Sequence, residues 1–512
     1  MDLLEALYHK VVAVINYANL MAVVNFLLPI ALVLAGAFFF IVTKGVQIRL
    51  FGTAVKSLFR VDAHKSIDEN NISPVQAFLT GLASRVGIGN IAGVASAIMA
   101  GGPGAIFWMW FAAILGMASA FAESSLAQLY KTKNDKGEFV GGPAFYIAQG
   151  LKLPTLGVIF SICLAFSYGF AFNSIQANQI ANTLHAAFAV NEQVTAIIVT
   201  VITAVVIFGS LKAVTKASSG LVVVMSLAYL GIGCAVLIVN YQNIGPAFEA
   251  IFAGAFDLKA GLGGLFGTAI SYGIKRGLFS NEAGMGSAPN IAATAATRHP
   301  AEQGFVQMIG VCFDTFIICT FSALIVLTTG LYMHGTYDNA ALTTQSVVHS
   351  LGGWSAIAMS IIIFLFAFSS IIGNFAYAVS GLKYFTQSKA LRFLFALCVC
   401  FFVYLGCISS PTSVWNAADL CMAIMTFLNL IAIVLLWKQV KLIIDDYTRQ
   451  RGKQKQDPNY QIIFNSDLYP ALQDKIYHTS IWSHKFDETH DDQIHKTTGY
   501  KVFGTNETDN HR

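Results

Sequence analysis

The chain has 512 residues, of which 55% are hydrophobic and only 11% charged, and its mean hydropathy is +0.62. Soluble domains carry about 25% charged residues, so this composition is that of a polytopic membrane protein. A formal net charge of +4 excludes a nucleic-acid surface as the main theme. The eight cysteines fall in apolar segments without metal-type spacing and read as small buried hydrophobes rather than a disulfide framework. No small-residue cleavage site precedes the first long apolar run, so no signal peptide is expected.

Residues 1–20 predict a short amphipathic helix that does not span. The first span is expected at about 22–43, and a basic loop with Lys44, Arg49, Lys56, Arg60, His64 and Lys65 completes a unit over 21–72. Ser73-Pro74 supplies an N-cap and a first-turn proline, which predicts a helix from there to about 100. Further spans are expected at about 104–130, 154–186, 192–210, 216–240, 262–297, 304–331, 352–382, 390–409 and 412–437, about eleven in all. Residues 438–512 read as a polar, solvated tail. Its histidines are too irregularly spaced for a metal site. Trp108 and Trp110 read as lipid-facing or interfacial. Lysine and arginine concentrate after the first span, at 131–152, 211–216 and 383–392, and again from Lys438. The loops at 239–261 and 332–351 carry almost none. Basic loops stay in the cytoplasm, so the alternation predicts an outside N-terminus and a cytoplasmic C-terminus. On that side the sequon Asn506-Glu507-Thr508 would not be glycosylated.

Two spans are interrupted. Thr80-Gly81-Leu82-Ala83-Ser84-Arg85-Val86-Gly87-Ile88-Gly89-Asn90-Ile91-Ala92-Gly93 puts glycines, an arginine and an asparagine at membrane depth. Lys275-Arg276-Gly277-Leu278-Phe279-Ser280-Asn281-Glu282-Ala283-Gly284-Met285-Gly286-Ser287-Ala288-Pro289-Asn290 does the same about 195 residues later. Irregular backbone in lipid must line a cavity or be buried in protein. With the first span set aside, the breaks fall in the first and sixth of ten helices. Units over 73–243 and 244–437 would then have opposite topology, the pattern of an inverted-repeat transporter.

A broken helix frees N–H groups at one half-helix start, which attract a carboxylate, and C=O groups at the other end, which coordinate a hard cation. Gly87 and Gly89 would let backbone approach a ligand. This chemistry suits a zwitterionic amino acid carried with Na+. Ser369 and Ser370 offer mid-span hydroxyls for such an ion.

Residues 81–94, the Gly101-Gly102-Pro103-Gly104-Ala105 turn with Trp108-Met109-Trp110, and residues 277–289 resemble the signatures of the alanine/glycine:cation symporter family. The resemblance covers roughly residues 20–440. It implies an all-α membrane protein similar in fold to the neurotransmitter:sodium symporters. One extra N-terminal helix would precede a 5+5 inverted-repeat, LeuT-like core with two broken helices. It also implies sodium-driven uptake of a small neutral amino acid, such as alanine or glycine, across a bacterial or archaeal inner membrane. The implied substrate residues are Ser84, Gly87, Gly89 and Asn90 at the first break, and Ser280, Asn281, Gly284 and Ser287 at the second. Phe172, Asn173 and Gln176 come from the third helix, and Ser370 and Asn374 from the eighth. The implied sodium ligands are the carbonyls of Ala83 and Val86 with Ser369 and Ser370. Two positions depart from the family pattern: Arg85 stands where alanine carriers have Thr, and Asn374 where they have Trp. A shorter amide leaves room for a larger or more polar substrate, such as glutamine or serine.

Charges at membrane depth are costly and are usually functional or paired. Glu123 lies toward the cytoplasmic end of its span, where a gate or a solvated helix end is expected. Arg276 and Glu282 would pair across the second break. Asp314 would ligate a cation or pair with Arg85, itself a gate or a structural counter-ion. Proton coupling through Asp314 or Glu123 is the rival reading. An enzyme is not expected, since the chain has no HExxH or GxSxG and no histidine near either break. A channel would need a continuous polar pore.

Overall fold

The computed structural model describes residues 17–59, 71–134, 136–209, 211–256, 266–386, 388–473 and 481–482. Most of the expected 1–20 helix and the sequon at 506–508 lie outside the described residues. Along the chain the principal helices are α1 (Tyr17–Val42), α2 (Pro74–Arg85), α3 (Val94–Gly101), α4 (Ala105–Leu129), α5 (Pro154–Phe166) and α6 (Phe172–Phe188). There follow α7 (Glu192–Phe208), α8 (Leu211–Val239), α9 (Ile244–Ala255), α10 (Phe266–Asn281), α11 (Ala288–Ala292) and α12 (Pro300–Cys312). The last are α13 (Thr320–Thr329), α14 (Asn339–Leu351), α15 (Trp354–Phe385), α16 (Lys389–Ile408), α17 (Pro411–Leu435) and α18 (Trp437–Gln456).

Among the described residues eight helices are long and apolar enough to cross a membrane, or nine if the bent pair α2 and Gly89–Gly101 is one span. Val194, Ile197, Ile198, Val201 and Val205 form an exposed apolar face on α7, as a lipid contact requires. Two long spans are wound more loosely than expected: π-helical turns at Ser167–Ala171 and Phe313–Cys319 join α5 to α6 and α12 to α13.

The start of α2 forms as its sequence predicts. Ser73 Oγ accepts the Gln76 N–H at 3.1 Å, and Gln76 Oε1 accepts the Ser73 N–H at 3.0 Å, a complete capping box. The axis turns by 52° between α2 and the helix that follows. At the other break α10 stops at Asn281, and positive φ at Glu282 (58°), Gly284 (84°) and Gly286 (86°) carries the chain around to α11. For Glu282 that backbone region is uncommon, and the contacts described below hold it there.

Three expectations need correction. Residues 244–255 and 339–351, expected as linkers, are the helices α9 and α14. Trp108 and Trp110, expected to face lipid or the interface, are half-buried against neighbouring helices. Trp108 Nε1 donates to the Ala255 carbonyl (3.1 Å), Trp110 Nε1 donates to Thr320 Oγ1 (2.9 Å), and their rings pack against Phe252 and Phe256.

The segment after Trp437 is also not a solvated tail throughout. α18 buries Val440, Ile443, Ile444 and Tyr447, and its Asp446 receives His299 Nε2 (3.0 Å), Gln450 Nε2 (2.7 Å), the Tyr469 hydroxyl (2.5 Å) and Arg449 Nη2. Burial pushes the Asp446 carboxyl up, but the hydrogen bonds from His299, Tyr469 and Arg449 outweigh it and hold the group well below the ordinary carboxylate range. Beyond α18 the chain doubles back, and Ile462, Ile463, Phe464, Leu472, Ile481 and Trp482 are buried. These apolar residues come in groups of one to three among polar ones, so average polarity hides them.

Candidate functional site at the two helix breaks

In a continuous helix the Gly87 N–H would bond the Ala83 carbonyl, and the Asn90 N–H the Val86 carbonyl. Here the Gly87 N–H donates to Asn90 Oδ1 (2.9 Å) and the Asn90 N–H to the Gly87 carbonyl (3.2 Å). The Ala83 and Val86 carbonyls therefore lose their helical donors. Ser84 is in the same position, because the Ile88 N–H goes to Gln176 Oε1 (3.3 Å). Ser370 Oγ donates to the Ser84 carbonyl at 3.3 Å.

Gly89 brings the breaks together, and Gly87 brings the first break against neighbouring helices. A Cβ on Gly89 would meet Phe279 at 3.0 Å and the Ser280 backbone at 3.2 Å. A Cβ on Gly87 would overlap Ser370 Oγ, and the Gln176 amide lies just beyond, at 3.6 Å. An aromatic wall runs past this junction: Phe172 to Phe279 (5.3 Å between centroids), then Phe279 to Trp415 (5.0 Å).

The remaining polar residues divide into two buried clusters. In the first, Asp314 accepts from Asn90 Nδ2 (2.6 Å), Ser280 Oγ (2.8 Å) and Thr315 Oγ1 (3.2 Å), and Asn281 Nδ2 donates to Thr315 Oγ1 (3.0 Å). No ion pair reaches Asp314 among the described residues. The second cluster is centred on Glu282. Ser287 Oγ donates to it at 2.7 Å, and Ser84 Oγ lies 3.4 Å from Glu282 Oε1 and 3.3 Å from Asn374 Oδ1.

Glu123 is fully buried rather than at a solvated helix end. Its carboxylate accepts the N–H groups of Gly284 and Gly286, both at 3.1 Å, and Asn429 Nδ2 at 2.7 Å. The same amide donates to the Gly284 carbonyl (2.9 Å), and the Tyr146 hydroxyl donates to Asn429 Oδ1. A side chain of α4 thus takes up backbone donors that the second break leaves without helical partners.

The expected charge pairs do not form. Arg276 turns to Asp419, not Glu282, with Nη1 at 2.8 Å and Nη2 at 3.2 Å, and its guanidinium lies 4.2 Å from the Trp415 ring. Lys275 Nζ joins the same carboxylate at 2.9 Å. The fork of an arginine matches a carboxylate, and Asp419 on α17 lies within its reach. Arg85 makes no ion pair with Asp314. Its Nη1 donates to the Gln307 carbonyl at 3.4 Å, while Nε and Nη2 have no hydrogen-bond partner.

Other expected ligands stand apart from the junction. Ser369 Oγ donates to the Phe366 carbonyl of its own helix (3.0 Å), and Asn173 Nδ2 to the Gly169 carbonyl (3.2 Å). Conversely, Thr315, Phe279, Trp415, Asn429 and Tyr146 were not foreseen as part of the site. Asp419 is a further charge at membrane depth, and its partners lie 143 and 144 positions away in sequence, beyond the reach of spacing arguments. Neutral polar and aromatic residues in a span give no signal until the fold brings them together.

The sodium:alanine symporter family model matches residues 8–462. The chain is 44% identical over 437 residues to the amino-acid carrier protein AlsT of Bacillus subtilis, covering 85% of this chain and 91% of that one. It is 41% identical to the probable sodium/glutamine symporter GlnT of the same organism (84% and 90% covered). To the sodium/alanine symporter AgcS of Methanococcus maripaludis it is 39% identical (76% and 87%). A crystal structure of MhsT in complex with L-phenylalanine shares the fold at a TM-score of 0.54 and 16% identity, covering 72% of this chain and 89% of that one.

Proposed function

This chain belongs to the sodium:alanine symporter family, transporters rather than enzymes, and we propose that it carries a small neutral amino acid inward together with Na+ by alternating access. Alanine or glycine is the basic substrate, and the Asn374 amide beside Ser84 extends the range to serine or glutamine. The relatives include both a named sodium/alanine and a probable sodium/glutamine symporter, which supports that breadth.

One observation carries the reading: the two breaks meet where Gly89 lies against Phe279 and Ser280, and the first frees the carbonyls of Ala83 and Val86. In this proposal the amino acid seats against Gly87, Gly89, Gln176, Phe172 and Ser370, with Ser84, Asn374 and Ser287 on one flank and Asn90, Ser280 and Asn281 on the other. Sodium takes the Ala83 and Val86 carbonyls with Ser370. Ser369 would have to leave the Phe366 carbonyl to join them. Gly284, held by Glu123, shapes the second break. In this reading α7 and the broken α10–α11 stretch are also spans, which with the nine would make eleven, one helix plus two inverted five-helix units. Bound to a bacterial or archaeal inner membrane, the chain would keep its C-terminus in the cytoplasm.

Proton coupling is the second reading, favoured by the burial of Asp314 with no ion pair to it among the described residues. Uptake of labelled alanine, glycine, serine and glutamine by purified protein in proteoliposomes tests both. Uptake driven by a sodium gradient and lost when choline replaces sodium supports symport with Na+. Uptake that persists in choline under a proton gradient refutes it.

A further inference from the structure

We propose that residues 460–473 with 481–482 form a strap that restrains the opening of the site toward the cytoplasm, an inference that rests on the alternating-access reading above. The strap closes over the chain that leaves the second break. The Phe464 N–H donates to the Arg298 carbonyl (3.0 Å), and Arg298 Nη1 donates to Gln461 Oε1 (3.3 Å). Trp482 Nε1 donates to the Gln128 carbonyl at the end of α4 (3.2 Å), and the Trp482 carbonyl receives the Ser466 N–H (2.8 Å). Phe464 and Trp482 are fully buried and meet edge to face at 5.7 Å.

What lies beneath is a knot joining both broken helices. Gln128 Nε2 donates to the carbonyls of Ala292 and Ala295, the latter at 3.0 Å, and Lys131 Nζ also reaches the Ala295 carbonyl (2.9 Å). The Ala296 N–H donates to the Ile72 carbonyl (3.0 Å), two residues before α2 begins. His299, which caps α12 by accepting the Ala301 N–H (3.1 Å), is tied to Asp446 of α18.

Inward opening requires α2 and the segment after α11 to move away from α4. Every such movement must break the knot, and the strap adds the burial of Phe464 and Trp482 to what has to be undone. A group that binds one of two states preferentially shifts the equilibrium by its differential contact energy. The strap makes these contacts only while the cytoplasmic ends are together, so it favours the closed state. Its anchors Phe464, Leu472 and Trp482 lie beyond residue 462, where the family match ends.

The test uses full-length protein in proteoliposomes with Trp482→Ala, Phe464→Ala and the conservative Trp482→Phe. Two quantities are measured: the maximal rate of sodium-driven uptake, and amide exchange across α2. Loss of a typical coupling energy predicts about fivefold faster uptake and exchange in the two alanine variants, with Trp482→Phe close to wild type. Phe464→Ala decides the matter if Trp482→Ala does not fold. Unchanged or slower uptake in a folded alanine variant, beside an active wild type, overturns the strap. A wild type without uptake overturns the transport reading instead, and exchange across α2 then decides the strap by itself.

Discussion

Asp419→Asn is the most direct challenge to the electrostatic account. Asp419 is 1% exposed and holds two buried cations, Arg276 through a two-pronged contact (2.8 and 3.2 Å) and Lys275 at 2.9 Å. Removing one partner of a buried pair costs about 3–5 kcal/mol, because it leaves an uncompensated charge. Here some compensation survives. Lys275 Nζ also donates to Asn25 Oδ1 at 2.6 Å, and Arg276 keeps its place over the Trp415 ring at 4.2 Å. The lower end, about 3 kcal/mol, is therefore expected. Thermal unfolding of the purified protein, followed by tryptophan fluorescence, should show a fall of several degrees. The triple variant Lys275→Met, Arg276→Met, Asp419→Asn should recover most of it, since replacing every member of a buried charge cluster by apolar or neutral groups is often close to neutral. An Asp419→Asn protein that melts with wild type would refute the assignment of these charges to one buried cluster.

Other positions are equally open to test. Gly87→Ala pushes a methyl into Ser370 Oγ, an overpacking cost of about 1–3 kcal/mol; adding Ser370→Ala should restore folded yield but not sodium-dependent uptake, measured in proteoliposomes. Glu123→Gln replaces an acceptor-only group that receives two backbone N–H groups and an amide, with about 1.5–3 kcal/mol at stake for each charge-assisted bond. Its melting temperature should drop, and Glu123→Asp should recover part of the uptake while an apolar replacement does not. Asn374→Trp should fill the space beside Ser84 and abolish competition by glutamine in an alanine uptake assay while sparing competition by glycine.

What could be read in the sequence followed from rules acting over a few residues. The capping box at Ser73, the two breaks and the long apolar spans all announce themselves by local composition, and the structure has helices or interruptions at each. Contacts between distant segments did not. Arg276 has Glu282 six residues away, but its partner Asp419 is 143 residues away on another helix. Nothing in the pattern around Glu123 says that it faces Gly284 and Gly286, 161 and 163 residues on. The docked region after residue 460 was hidden for a different reason. Six apolar residues among polar neighbours lack a period, and they become a core only against Gln128, Arg298 and α18.

The arrangement around Asp314 would give the proposed coupling of ion and amino acid a physical form. Glu123 holds groups of the second break, and Glu282 joins Ser287 of the second to Ser84 of the first, the latter at 3.4 Å; Asp314 bridges the breaks more tightly, receiving Asn90 from the first at 2.6 Å and Ser280 from the second at 2.8 Å. Asn90 in turn accepts the Gly87 N–H, so the position of Asp314 is transmitted to the backbone that would face the amino acid. A cation close to Asp314 would favour the arrangement in which these donors converge, and an amino acid against Gly87 and Gly89 would favour it too. Such coupling is reciprocal and typically amounts to about 1–3 kcal/mol, a 5–150-fold change in affinity. Asp314→Asn keeps the shape and removes the charge. The apparent affinity for the amino acid, measured by calorimetry at low and high sodium, should then become nearly independent of sodium while binding itself persists. Binding that keeps its full sodium dependence in this variant would place the coupling elsewhere, at the Ala83 and Val86 carbonyls alone.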